Sequence, residues 1–420
     1  VAVNLEKNLE NQRSMLFAGD WCTFSDEKTR NLDKNLRVFP SIFNKSGFIK
    51  SKSEEPELQK FKKEIIRLRK IIQPQLFQEL NRINKKNFNN YFWNLIVDPW
   101  LGNYLAYMYV KWHTIDKILH SYQNVNFDFS NYKIDRNELV NYDLQNSFII
   151  PNLSSDVYNQ YYYQVVVDYF KDAKNLNIVH TDQKLEYQKR KVEFYNKYDF
   201  IFKKFINNLK KIILSEDRIY LKSHEITKYD FIKIQLKLKQ SPLNPNFYFS
   251  DKTFTTIIND DLLNYDNQIR SQIKLEYKKE KNFENFILER IKYDLPNYLV
   301  ENFEKIYKYV NNLNFFQKTI ISGSDHFYNI LFKFWIALNK FKGNKIITLD
   351  HGIHNGVEKG DIYYQEEIGD LNLGYYKKMK KNEVQIPSIK LSKYINLRSS
   401  DIKRKFLLYV ANDNMQYPEN

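Results

Sequence analysis

The chain has 420 residues, 43% of them apolar and 16% aromatic, and a formal net charge of +15. That is enough apolar material for a real core, which excludes global disorder, and the length suits two domains better than one. No stretch reaches the roughly 18–20 uninterrupted apolar residues of a membrane-spanning helix, the first residues lack an apolar signal core, and the single cysteine, Cys22, excludes an internal disulfide and a multi-cysteine zinc site.

These features read as a cytoplasmic protein. The positive charge invites a nucleic-acid reading, but the enrichment in Lys, Asn, Ile, Tyr and Phe is the imprint of an AT-rich genome. The basic residues are also spread out, with acids between them, as in 189–211. No nucleic-acid partner is expected; a weak attraction to acidic membrane surfaces is compatible with the charge.

In chain order, Met15–Ala18 reads as a short buried strand running into Gly19-Asp20-Trp21-Cys22. Apolar spacing predicts an amphipathic helix over Glu55–Ile72, with Pro74 ending it or starting the next. Tyr91–Val97 and Pro99–His120 read as two helices, with Asp98-Pro99 as a helix-start signal. Trp93, Trp100 and Trp112 are candidate core aromatics. Val157–Phe170 and Gln183–Leu214 follow as helices. Arg218–Leu221 and Phe231–Leu238 are ambiguous, with strand as one reading. Leu262–Glu280 and Phe283–Leu313 resume the helical pattern, broken near Pro296.

Glycine partitions the chain: none occurs between Asn103 and Ser322, and seven fall between Gly323 and Gly374. The glycine-free run suits long helices. Beyond it, Lys318–Ile321, His326–Lys342 and Lys345–Leu349 spell a strand, a helix stopped by Gly343, and a second strand parallel to the first. Short extended pieces are expected over Asp361–Tyr364, Glu367–Ile368 and Leu371–Tyr376. The apolar run Lys405–Val410 closes the pattern as a further strand.

Ligands of open α/β sheets bind outside the carboxyl ends of the strands. Three loops fit that rule: Gly19-Asp20-Trp21, Ser322-Gly323-Ser324-Asp325-His326, and Asp350 to Gly356. In the third, Gly352 and Gly356 permit close approach of backbone N–H groups, and Asn355 could cap a following helix. Histidine in general has an unperturbed pKa suited to general base work near neutrality, which makes His351 a candidate. The spacing of His351 and His354 is not the i, i+4 pair of a zinc helix, so no metal is expected. In the second loop, Ser322, Ser324 and Asp325 could cap the following helix or belong to a ligand site, and the two are compatible because a capped helix N-terminus is also an anion site. In the first, Asp20 is either a second base or a partner of nearby backbone. His113 and Asp116 lie one turn apart, as a crevice pair or on a solvated face.

Three segments, LFAGDWC, FWNLIVDPWLGNYLAYMYVKWHTID and SGSDHFYNILFKFWIALNKFKGNKIITLDHGIHNG, together resemble the transferases of surface-carbohydrate and O-antigen (lipopolysaccharide) gene clusters. His351 and Gly352 fall on that family's His-Gly. Asp350 stands where the family has Gln, Ile353 where it has a second Gly, and Asp20 where it has Glu.

The resemblance implies an α/β fold: the helix-rich, Rossmann-like N-terminal part of a GT-B-type glycosyltransferase with large helical insertions. Residues 1–400 would form that part, with a long helical region over 55–313 and a β-loop-α-β unit over 318–376. Residues 401–420 would be a linker and the first strand of a second α/β domain, which activity would need. The implied function is transfer of a sugar from a nucleotide-activated donor to a glycan or lipid-linked acceptor, with no bound cofactor or metal and with peripheral inner-membrane contact. His351 and Asp20 are the catalytic candidates; Ser322, Gly323, Ser324, Asp350, Gly352, Asn355 and Gly356 would bind substrate. A polyol-phosphate transferase of the same architecture, and a non-catalytic binding protein, are the alternatives.

Overall fold

The computed structural model describes residues 2–5, 14–17, 37–38, 55–121, 125–129, 136, 139, 156–174, 177–180, 219–222, 226–240, 248–250, 253–254, 257, 265–278, 280, 282–313, 316–349, 368–375, 381–387 and 389. The fold is mixed α/β and helix-rich. One five-stranded sheet has the order β3-β2-β1-β4-β5, with β1 (Ala2–Leu5), β2 (Ser14–Phe17), β3 (Arg37–Val38), β4 (Val125–Phe129) and β5 (Asn177–His180). In it β1 runs antiparallel to both β2 and β4. The second sheet is parallel throughout, in the order β10-β9-β8-β7-β6. Its strands are β6 (Ile219–Lys222), β7 (Thr319–Ser322), β8 (Lys345–Leu349), β9 (Leu371–Gly374) and β10 (Glu383–Gln385).

Two long helices form the centre of the helical layer. In α1 (Glu55–Ile83), Phe61, Ile65, Leu68, Ile72, Leu76 and Leu80 recur every three or four residues and are all buried. In α2 (Asn90–Ser121) the apolar residues run nearly all round, from Phe92 and Trp93 through Trp100, Leu105 and Met108, as a helix surrounded by protein requires. The expected core tryptophans Trp93, Trp100 and Trp112 are all buried. Around α2 pack α3 (Asp156–Lys174), α6 (Phe283–Asp294) and α9 (Ile330–Phe341). Further helices among the described residues include α4 (Lys228–Lys237), α5 (Asn267–Ser271), a 3₁₀ turn at Asn297–Leu299, α7 (Phe303–Asn311) and α8 (Asp325–Tyr328).

Both expected proline breaks are absent. Pro74 lies inside α1 on an exposed position, where the unpaired carbonyl one turn earlier can meet water. Pro99 lies inside α2, so Asp98-Pro99 starts no helix. Asp98 is instead buried and holds α2 to α1: it accepts from Arg69 Nε at 2.9 Å and from Gln73 Nε2 at 2.7 Å, and Arg69 Nη2 reaches its second oxygen. Tertiary ties of this kind outweigh the local cost of a proline.

Three further expectations change. Residues 231–237 are helical, because Thr227 caps α4 by accepting from Asp230 N at 3.1 Å. Within 262–280 only α5 is helical among the described residues. Residues 273–278 run non-helical beside α1, where Lys274 N donates to Glu79 at 2.7 Å and Glu276 N to Gln75 at 2.7 Å. The helix expected over His326–Lys342 is divided at Asn329, whose side chain accepts from Phe332 N at 2.9 Å and starts α9. Gly343 ends α9 at φ +86°, as expected. Residues 183–214, 361–364 and 401–420 lie outside the described residues.

Candidate functional site

Strand register builds the site. In adjacent parallel strands, Lys222 of β6 stands beside Ser322 of β7, Ser322 beside Thr348 of β8, and Thr348 beside Asn372 of β9. Residues level in neighbouring strands point to one face, so these four form a polar row across the sheet. All four are buried. Glu383 of β10 continues the row onto partly exposed ground. Two residues earlier on the same face stand Tyr220, Ile320 and Ile346, all buried. They belong to the layer under α9, with the Tyr220 and Trp335 rings 4.8 Å apart. The face is therefore apolar under α9 and turns polar at the carboxyl ends of the strands.

Each member of the row has a partner. Lys222 Nζ lies 2.9 Å from Asp325 Oδ1 and 4.6 Å from the centre of the Phe332 ring. Ser322 Oγ is 2.8 Å from His326 Nδ1, one turn along the chain in α8. Thr348 Oγ1 donates to Asn372 Oδ1 at 2.9 Å. Gly323 N donates to Lys222 O at 2.9 Å, which ties the loop after β7 to the end of β6. Gly369 approaches so closely that a Cβ there would stand 2.9 Å from Thr348 Oγ1. A buried row of hydroxyl and amide groups, with an ammonium balanced by the Asp325 carboxylate, supplies hydrogen-bonding groups suited to hydroxyl-rich ligands.

Of the residues expected from sequence, Ser322, Gly323 and Ser324 lie at the end of β7, all buried. Ser324 precedes α8 without a side-chain capping bond, and Asp325 spends its carboxylate on Lys222 rather than on a cap. Asp20, Asp350, His351, Gly352, Asn355 and Gly356 lie outside the described residues, as do Cys22, Ile353 and His354. Asp350 immediately follows β8 in the chain.

His113 and Asp116 do not join the row. The His113 ring lies tilted against Tyr109, with ring centres 4.0 Å apart, and burial lowers its pKa while Asp116 pulls the other way. Asp116 instead meets His120 at 3.3 Å. Among the described residues, no group of three or more His, Cys, Asp or Glu side chains could hold a metal ion. Sequence reading placed His326 in a candidate loop without giving it a role, and missed Lys222, Thr348 and Asn372. The Ser-x-x-x-His spacing across a strand–helix boundary was the available signal for His326; the other three needed strand register.

The sequence model of a family described as LIC12162 family transferase matches residues 1–420. The chain belongs to the LIC12162 transferase family. The match covers the entire sequence, so both sheets and the polar row lie within the family's region. No curated protein and no solved structure matches the chain. No described helix is long and apolar enough to cross a membrane.

Proposed function

We propose that this member of the LIC12162 transferase family transfers a sugar from a nucleotide-activated donor during surface polysaccharide assembly, with its ligand crevice at the carboxyl ends of β6 to β9. The buried polar row Lys222–Ser322–Thr348–Asn372 carries this reading, because it places hydroxyl, amide and ammonium groups where ligands of parallel sheets bind. The parallel sheet is taken as one Rossmann-like half of a GT-B arrangement. The family is described as a transferase, and the choice of a sugar rests on the resemblance of the chain to O-antigen transferases.

In this reading His351 takes the proton of the acceptor hydroxyl or contacts the donor phosphate, with Asp20 the second candidate base. The acceptor oxygen forms a bond to the anomeric carbon as the bond from that carbon to the nucleotide phosphate breaks. The departing phosphate keeps the electron pair and is stabilised by N–H and cationic groups. Ser322, Gly323 and Ser324, with Asp350, Gly352, Asn355 and Gly356, shape the crevice.

The test is transfer from a panel of nucleotide sugars and nucleotide-activated polyol phosphates to lipid-linked and free glycan acceptors. Turnover is expected with a nucleotide sugar, lowered on the order of 10²–10⁴-fold in His351→Ala, with a raised KM in Ser322→Ala. Turnover with the polyol donors alone would replace sugar transfer by polyol-phosphate transfer, and an unchanged His351→Ala would remove that residue from the chemistry.

A further inference from the structure

Helix α4 is attached to the protein by one side only. Gln235 is its buried residue, and Phe231 and Ile234 are half-buried. The outward side is apolar. Tyr229, Ile232 and Leu236 follow one another at i, i+3 and i+7, a single helical row, and are 72%, 44% and 61% exposed. Leu238 extends the apolar surface just past the helix. Lys228, Lys233, Lys237 and Lys239 are exposed around it, and none forms an ion pair with a described residue. The helix's one acid, Asp230, accepts a 2.7 Å bond from its cap, Thr227.

A row of large apolar side chains facing water, with lysines beside it, is suited to one kind of occupant. That occupant must offer apolar depth and negative charge together. Nucleic acid offers the charge without the depth. A bilayer with anionic headgroups offers both. Helix α1 provides the contrast within the same molecule. Among its described side chains the exposed ones are Lys60, Lys63, Arg67, Lys70, Pro74, Gln78 and Arg82, equally basic but with no large apolar side chain.

We propose that α4 is an interfacial anchor that lies on an anionic lipid surface. Tyr229, Ile232 and Leu236 enter the boundary between headgroups and acyl chains, and the flanking lysines contact lipid phosphates. The helix starts at Lys228, six residues after Lys222 of the polar row, and so within about 20 Å of it along the chain. An anchored α4 holds the carboxyl ends of the parallel sheet close to the bilayer. The inference rests on α4 itself and stands whether or not the transferred group is a sugar.

The test is co-sedimentation of the whole chain with vesicles of phosphatidylcholine alone and of phosphatidylcholine mixed with phosphatidylglycerol. Binding is expected to the mixed vesicles, weakened by salt, and reduced on the order of tenfold or more in the triple variant Tyr229→Ser, Ile232→Ser, Leu236→Ser. The variant should keep the wild-type Tm, since the three side chains face water. Unchanged vesicle binding by the triple variant overturns the proposal. So does an equal loss in a control carrying Lys60→Gln, Lys63→Gln and Lys70→Gln, which would make the adhesion a property of net charge. A drop in Tm would show the row to be covered by this chain. A change from oligomer to monomer in light scattering without loss of vesicle binding would assign the row to a second copy.

Discussion

Lys333 lies in the middle of α9, fully buried, with its ammonium 5.6 Å from the centre of the Tyr298 ring. Burial pushes its pKa from the ordinary 10.5 down to about 7. The folded pKa is thus below the unfolded one, so between about 7 and 10.5 the unfolded chain binds a proton that the folded chain has lost. Stability rises with pH through that window and carries the full cost of the buried charge below it. Lys333→Met keeps the length of the side chain and removes the charge. It should raise stability by roughly 1–3 kcal/mol near pH 7, with a smaller gain at pH 9, in urea unfolding at both pH values. An equal gain at both would show that packing rather than charge is responsible. At this scale sequence reading found Ser322 by its position after an apolar run. Lys333 could not be found, because a lysine on an apolar helix reads as one that reaches water.

Among the elements, α1 and α2 show how packing overrides local rules. Read alone, Pro74 and Pro99 mark helix boundaries. In the fold each sits within an unbroken helix, and Arg69, Gln73 and Asp98 join α1 to α2 beside the Pro99 turn. Pro74 is exposed, so its replacement mainly tests the backbone cost. Pro74→Ala should restore one helical hydrogen bond and raise stability by about 1–3 kcal/mol, measured as an increase in Tm. A lowered Tm would mean that the proline shape is itself needed at that turn. The strands were easier to read: β7 and β8 are short apolar runs bounded by polar residues and glycine, and their parallel pairing follows from the helices between them.

For the whole molecule, the clearest cross-link is Asp294, at the end of α6. It accepts from Tyr104 Oη of α2 at 2.8 Å, from Tyr161 Oη of α3 at 2.8 Å, and from Arg290 Nε at 3.2 Å. Burial, and then the Asp294 charge, hold both phenol pKa values well above the ordinary range. Asp294→Ala would leave two buried phenols without their acceptor and the Arg290 guanidinium without its counter-ion, and should cost about 3–5 kcal/mol in urea unfolding. Tyr104→Phe, which removes one donor, should cost about 1–2 kcal/mol. Comparable losses in the two variants would mean that Asp294 does not join the three helices.

The amino-acid sequence by itself determined the helix-rich α/β class, the parallel β7–α–β8 unit and the position of Ser322 at a strand end. These follow from apolar periodicity and glycine placement, which act over a few residues. Tertiary structure decided what depends on distant parts of the chain meeting. It carried α1 and α2 through their prolines, because buried contacts between helices outweigh one missing hydrogen bond. It set Lys222, Ser322, Thr348 and Asn372 level with one another, because register between strands is fixed by the packing of whole elements. It also turned the apolar row of α4 outward, because the opposite side of that helix is the one that meets the protein.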